Sequence, residues 1–251
     1  MNLWETIPID QPGVLACTGA GGKTSLLQTL ERHARSYHFP VILTSTTKMF
    51  YHQVEQLAPV FSDNYAEGAA RIAEKLTVQS SAAWFSCRQG EKCIGLPVQW
   101  IDDVAMANPS CQLLVEADGA RGCLVKAPAL YEPVIPNTTT VTVGVLNLQA
   151  LGQPLNEIVA HRLELVSSLL HKAPGQLIRP EDMALLALSE QGIFKNSRGR
   201  KVLLLTGSGA VSGCHVKTVI QELRHNRAGI CRCVVAAGYG ENMRPIEVYD
   251  L

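Results

Sequence analysis

The chain has 251 residues, 47% hydrophobic and 18% charged, with 22 basic residues balancing 22 acidic ones. That is enough apolar material for a sizeable core in one large α/β domain, and zero net charge gives nucleic acid or an anionic membrane surface no hold, so neither is expected as a partner. Met1-Asn-Leu-Trp-Glu-Thr lacks the basic and apolar regions of a signal peptide and no apolar run would span a bilayer, which predicts a cytoplasmic protein.

Gly13–Thr18 reads as a buried strand, and from Lys23 to Tyr37 apolar residues recur at helical spacing (Leu26, Leu27, Leu30). Between them lie Gly19, Ala20, Gly21 and Gly22. A strand that enters a helix through such a turn presents backbone N–H groups at the positive end of the helix. Glycine permits the sharp turn and a close ligand approach. Lys23 adds a cation, and the Thr24 hydroxyl, with Ser25 beside it, suits a magnesium ion. Gly19 to Ser25 are therefore the candidate residues for binding ATP or GTP with Mg2+. The phosphate-loop spacing G-x-x-x-x-G-K-[ST] asks for glycine at position 17, where Cys17 stands, so a tighter loop is expected. The alternative is an ordinary glycine-rich turn with a solvated lysine, against which the register of Gly22-Lys23-Thr24 between strand and helix speaks.

Pro40–Ser45 is a second apolar run, closing in Thr44-Ser-Thr-Thr-Lys-Met49. Strand, helix and strand in this spacing predict a parallel pair joined by a right-handed crossover. The hydroxyl cluster then shares the ligand-binding edge of the sheet with the glycine loop. Thr46, Thr47 and Lys48 are candidates for contact with metal, phosphate or a second substrate, or else form a turn. Tyr65–Leu76 reads as a helix, Ala82–Ser86 as a strand, Cys87–Leu96 as a polar turn between two short strands, and Val98–Ala107 as a helix. No catalytic constellation stands out there, and a structural role is expected.

The next informative stretch is Cys111-Gln-Leu-Leu-Val-Glu-Ala-Asp-Gly-Ala-Arg-Gly122. An apolar strand that runs up to acids resembles those that place a carboxylate near magnesium in nucleotide hydrolases. Glu116 and Asp118, two apart, share a face of a strand. Arg121 and Lys126 bring positive charge back toward them. Thr139–Leu146 is strongly β in character. Leu155–Leu170 is helical in pattern with His161-Arg162, a potential anion contact, inside it. Arg179-Pro begins another helix that Gly192 closes. Lys201–Thr206 is a buried strand, followed by a Gly-Ser-Gly loop (207–213) read as structural and a helix to about Asn226. Ile230–Ala236 is the last strand. The guanine-reading Asn-Lys-x-Asp element is absent after 206, which leaves the base unspecified.

The eight cysteines contain no C-x-x-C pair. Cys231 and Cys233 would share a strand face, and Cys17, Cys111 and Cys123 fall in or beside core strands, so structural thiols are expected rather than a metal centre.

Five motifs in order carry a resemblance: Gly-Ala-Gly-Gly-Lys-Thr-Ser, Thr-Ser-Thr-Thr-Lys-Met, Val-Glu-Ala-Asp-Gly-Ala-Arg, Lys126-Ala-Pro with Glu132-Pro-Val-Ile-Pro136, and His161-Arg162. From Gly13 to about Gly192 the chain resembles the YqeC-like family of accessory proteins of selenium-dependent molybdenum hydroxylases. The resemblance implies a P-loop-type nucleotide-binding fold. It also implies a role in maturing a selenium-containing molybdenum cofactor, with a molybdenum hydroxylase or its maturation proteins as partners.

The expectation is thus a single α/β domain over 1–251. It would have a three-layer P-loop NTPase-like fold, a mostly parallel sheet and a helical insertion around 150–195. Gly19 to Lys23 would hold phosphates, and Thr24, Asp118, Thr46 and Thr47 would hold the metal. Asp118, with Glu116 behind it, would act with Lys23 in catalysis. Lys48, Arg121, Lys126, His161 and Arg162 would face a second substrate. Two alternatives are a small-molecule kinase with Asp118 as base, and a non-catalytic nucleotide-binding module that docks on a partner.

Overall fold

The computed structural model describes residues 2–9, 11–37, 39–210, 213–226 and 229–251. The 207–213 loop of the sequence analysis therefore lies partly outside the described residues. The chain opens with a single turn, α1 (Leu3–Thr6), followed by β1 (Val14–Gly19), α2 (Lys23–Ser36) and β2 (Val41–Ser45). Next come β3 (Lys48–Phe50), β4 (Val60–Phe61), α3 (Tyr65–Val78) and β5 (Ser81–Phe85). The hairpin of β6 (Cys87–Gln89) and β7 (Lys92–Ile94) precedes α4 (Val98–Ala107) and β8 (Gln112–Glu116). Then follow β9 (Val125–Lys126), β10 (Thr139–Asn147), β11 (Ala160–His161), α5 (Leu163–Leu170) and α6 (Pro180–Leu188). The chain finishes with β12 (Arg200–Thr206), α7 (Gly213–His225), β13 (Ile230–Ala237) and β14 (Arg244–Asp250).

Nine strands form one sheet in the order β14-β13-β12-β10-β1-β8-β2-β5-β4. Neighbours are parallel except β13 with β14. The fold is α/β with a mostly parallel central sheet, as the sequence pattern predicts.

Side-chain alternation sorts the sheet's two faces into separate cores. Leu15 and Cys17 of β1 pack with Leu26, Leu27 and Leu30 of α2 on one face. On the other, Val14 and Leu113 pack with Ile72 of α3 and with Ile101 and Val104 of α4. Further along that side, Leu203 and Leu205 of β12 meet Met183 and Leu186 of α6 and Val216, Val219 and Ile220 of α7. Helices thus cover both faces in three layers, which is why the central strands are buried along most of their length. No helix among the described residues is long and apolar enough to cross a membrane.

Four expectations change. β2 does not pair with β1, because β8 lies between them and pairs with both; a right-handed crossover fixes handedness but not adjacency. His161-Arg162 is not inside a helix: His161 ends β11, which pairs with β9, and Arg162 (φ 62°) is the residue before α5. The apolar positions around it belong to a strand end and a short helix whose combined spacing imitates one helical period. α6 stops at Leu188, four residues before Gly192, with Ser189 extended as its cap. β13 is not last either. The Arg244–Asp250 strand escaped notice because as an edge strand it is largely solvated and carries no apolar run.

Candidate functional site

β1 runs on through Gly19, so Cys17 is part of the strand and the loop comprises only Ala20, Gly21 and Gly22. Gly22 is the N-cap of α2 and brings no side-chain cap. The first N–H groups of that helix therefore have no partner within it. The loop is clamped from behind. Ala20 N donates to Val145 O at 2.8 Å, and Gly21 O accepts from Asn147 Nδ2 at 3.0 Å and from the Thr206 hydroxyl. Gly21 has φ +76°, and a Cβ there would lie 2.4 Å from Asn147 Cβ. The glycine is required by the strand ends that press on the loop as well as by its backbone conformation.

In front of the loop stands Glu116, the last residue of β8, level with Cys17 of β1 and Ser45 of β2. Its Oε2 accepts from the Thr24 hydroxyl at 3.3 Å. Asp118 lies beyond the strand end and folds underneath. Its Oδ2 accepts from Gly19 N at 3.0 Å and is paired with Lys126 at 2.9 Å. Its Oδ1 is 2.9 Å from Lys23 Nζ, an ion pair without the alignment of a hydrogen bond. Lys23 Nζ itself donates to Gly19 O at 2.6 Å and stands 3.8 Å from Glu116 Oε1.

The chain of charges continues from Lys126 to Glu132 (3.0 Å) and from Glu132 to Arg162 (2.7 Å). Lys126 also donates to Gly119 O at 2.8 Å. Cations and carboxylates alternate along this path, so each buried charge has a compensating neighbour.

These neighbours set the proton affinities. Burial pulls the Lys23 ammonium down, but Asp118 and Glu116 more than offset it and hold it above the ordinary lysine value. Burial raises the Glu116 carboxyl, helped by Asp118 and opposed by Lys23 and Thr24. For Glu132 burial also acts upward, yet Lys126 and Arg162 win and hold it below the usual carboxylate range. His161 is pushed down to about 4 by burial and by Lys126, Arg162 and Arg121.

Lys23, Thr24, Glu116, Glu132, His161 and Arg162 border one cavity of about 810 Å³ at the carboxyl edge of the sheet, a size that suits small-molecule ligands. Of the residues expected from sequence it is lined by Gly21, Gly22, Lys23, Thr24, Ser25, Thr47, Lys48, Glu116, Arg121, His161 and Arg162. Others are drawn elsewhere. Gly19, at the strand end, and Ala20, the first residue of the loop, do not line the cavity. The Thr46 hydroxyl donates to Val134 O at 2.8 Å and is not directed at a metal.

Lys126 and Asp118 have 0% exposure and neither borders the cavity, so Lys126 is an internal cation and not a substrate contact. The expected order of the acids is reversed as well. Glu116 faces the cavity, and Asp118, shut in by two lysines, has no path to act as base toward a substrate hydroxyl. Ser25 accepts from Gly240 N at 3.0 Å and so ties α2 to the segment after β13. Among the described residues no group of three or more His, Cys, Asp or Glu is placed to hold a metal ion.

Glu132, quoted from the sequence only as part of a motif, also lines the cavity, as do Lys92, Asn147, Thr206, Tyr131 and Tyr239, which were not singled out in the sequence. Each lies on a segment whose place beside the loop follows only from the sheet order. The single available sign was the Lys-Cys-Ile alternation around Lys92.

The profile of the family described as YqeC protein matches residues 15–164. The chain is 31% identical over 188 residues, 74% of its length and 72% of the other, to "Uncharacterized protein YqeC" of Escherichia coli. Among solved structures it is similar to the Signal Recognition Particle 54 kDa protein of Aeropyrum pernix in complex with GDP, with TM-score 0.44 and 14% identity over 96% of this chain and 45% of that one. It is likewise similar to FtsY of Mycoplasma mycoides, with TM-score 0.45 and 9% identity over 96% of this chain and 66% of that one. The chain thus spans less than half of the first of these, and likeness at this level carries nothing about function.

Proposed function

Given that the chain belongs to the YqeC family, we propose that it binds a nucleoside triphosphate, ATP or GTP, with Mg2+ in this cavity. The observation that carries the reading is the uncapped start of α2 at Gly22, open to the cavity, with Lys23 and Thr24 as its first two residues. Free N–H groups, the helix dipole and a lysine in one place form an anion site. The donor set suits magnesium. The Thr24 hydroxyl and the Glu116 carboxylate stand side by side at the cavity wall and leave room for phosphate and water oxygens, which a hard cation prefers. Thr24 and Glu116 would hold the ion, and it would neutralise charge on the phosphates.

In this reading Lys23 leaves Asp118 for the phosphates, and Asp118 stays satisfied by Lys126 and Gly19 N–H. Asp118 is then a positioning residue that keeps the loop and Lys23 in place. Glu116, with its proton affinity raised by burial, is the group beside the metal and water. We carry over from the family resemblance a cytoplasmic role in maturing a selenium-containing molybdenum cofactor or its hydroxylase, driven by hydrolysis of the nucleotide.

The test is equilibrium binding of ATP and of GTP with and without magnesium, together with phosphate release. Binding to the parent and its loss in Lys23→Ala are expected. A parent that binds neither nucleotide overturns the proposal, and tight binding without phosphate release under any condition favours a docking module.

A further inference from the structure

The cavity is electrically lopsided. Toward the ends of β10, β12 and β13 it is lined by Asn147, Gln149, Thr206, Gly207 and Tyr239, none of them charged. Toward β8 and the β3–β7 pair it is lined by Lys48, Lys92 and Arg121.

The small sheet explains the basic side. β3 and β7 pair antiparallel, with Phe50 opposite Lys92 and Met49 opposite Cys93. Period-two alternation sends Met49 and Cys93 into the core and leaves Lys48, Phe50 and Lys92 on the cavity face. Gly95 N to Thr47 O (2.6 Å) and Leu96 N to Ser45 O (2.8 Å) fasten this sheet to the end of β2. Lys92 Nζ rests 3.0 Å from the centre of the Phe50 ring, a cation–π contact that holds the ammonium in place. Arg121 arrives from the turn after β8. Burial lowers the Lys92 ammonium, Glu116 raises it, and Lys48 and Arg121 lower it again, so Lys92 feels both of the other cations.

No described carboxylate pairs with Lys48, Lys92 or Arg121. The two acids that border the cavity are occupied, Glu116 by Lys23 and Thr24, and Glu132 by Lys126 and Arg162. Three unpaired cations from separate elements around one concavity repel each other unless an anion joins them. A phosphate group, doubly charged and with several acceptor oxygens, matches two ammonium groups and a guanidinium approaching from different directions.

We propose that Lys48, Lys92 and Arg121 form a second anion site, for a small molecule that bears a phosphate or pyrophosphate group. It sits beside the triphosphate at α2 and rests on the reading above for the identity of that first ligand. The neutral side of the cavity is left for the nucleoside. Lys48 and Arg121 were expected from the sequence to face a second substrate, whereas Lys92 comes from the hairpin to which the sequence had assigned only a structural role.

Calorimetric titration with inorganic pyrophosphate, without nucleotide, tests this by stoichiometry. The parent is expected to take up two equivalents, and Lys23→Ala one. The double variant Lys92→Gln/Arg121→Gln should also bind one, with an unchanged melting temperature. If that double variant does not fold, Lys48→Gln, at an exposed position, should weaken the second equivalent by about tenfold. One equivalent in the parent overturns the proposal, whether it is lost in Lys23→Ala alone or in both variants. Two equivalents in Lys23→Ala overturn the loop reading and leave the second site standing. No binding to the parent overturns both.

Discussion

The Lys126 ammonium, with no exposed surface, lies 2.9 Å from Asp118 Oδ2. Neither group touches solvent, and their pairing links the turn after β8 to β9 and onward through Glu132 to Arg162. This contact supports the site from beneath: Asp118 also receives Gly19 N–H, so the loop's starting point is fixed by a carboxylate that Lys126 holds in place.

Lys126→Met should therefore destabilise the protein severely. Removing one member of a buried pair leaves the other uncompensated and costs about 3–5 kcal/mol. Here two carboxylates, Asp118 and Glu132, lose their shared partner. Chemical denaturation should show a much lower midpoint, and a change below 1 kcal/mol would refute the structural role of the network.

Glu116→Gln and Asp118→Asn should separate activity from stability. With Glu116 at the cavity and beside Thr24, Glu116→Gln should keep the fold and lose magnesium-dependent turnover by roughly a hundredfold. Asp118→Asn should lower the melting temperature, since Lys23 and Lys126 then lack their common carboxylate. Turnover in Asp118→Asn falling with stability intact, while Glu116→Gln stays active, would restore Asp118 as the catalytic acid.

Gly21→Ala should weaken nucleotide binding and cost roughly 1–3 kcal/mol of stability, because it forces a side chain into a left-handed conformation. It also drives a methyl against Asn147 Cβ at 2.4 Å. Gly119→Ala is the control, for nothing lies within 4 Å of its Cβ position. Equal melting temperatures for the two would show that the loop is not clamped as described.

Stability should fall as the pH drops from about 6.5 to about 4, and His161 should contribute to the fall. Its folded-state value is depressed, so within that window the unfolded chain binds a proton that the folded chain refuses. Stability from this source is complete above 6.5 and lost on the way down. His161→Gln should flatten the profile of denaturation midpoint against pH across the window. Glu132, also depressed, adds a loss at lower pH, below its ordinary value of 4.5. A variant profile parallel to the parent's would exclude His161 as the group responsible.

The strand, glycine turn, Lys23-Thr24 and following helix were legible in the sequence because their interactions are local. Chain spacing alone places a lysine and a hydroxyl at the start of a helix, and the apolar run alone puts a carboxylate at the end of a strand; that Asp118 leaves the strand and does not share its face with Glu116 was not legible. Sequence could not say which acid meets the cavity. That depends on where β8 ends, at Glu116, and on Lys126, Gly19 and Lys23 closing over Asp118 from positions far apart in the chain. The same holds for Lys92, a polar residue in a short turn until antiparallel pairing with β3 sets it opposite Phe50 and turns it to the cavity. It holds again for Asn147 and Thr206, whose grip on Gly21 exists only because β10 and β12 line up beside β1. Backbone conformation and side-chain period are properties of neighbours in sequence, whereas burial and ion pairing are fixed by strand order, which only the packed sheet determines.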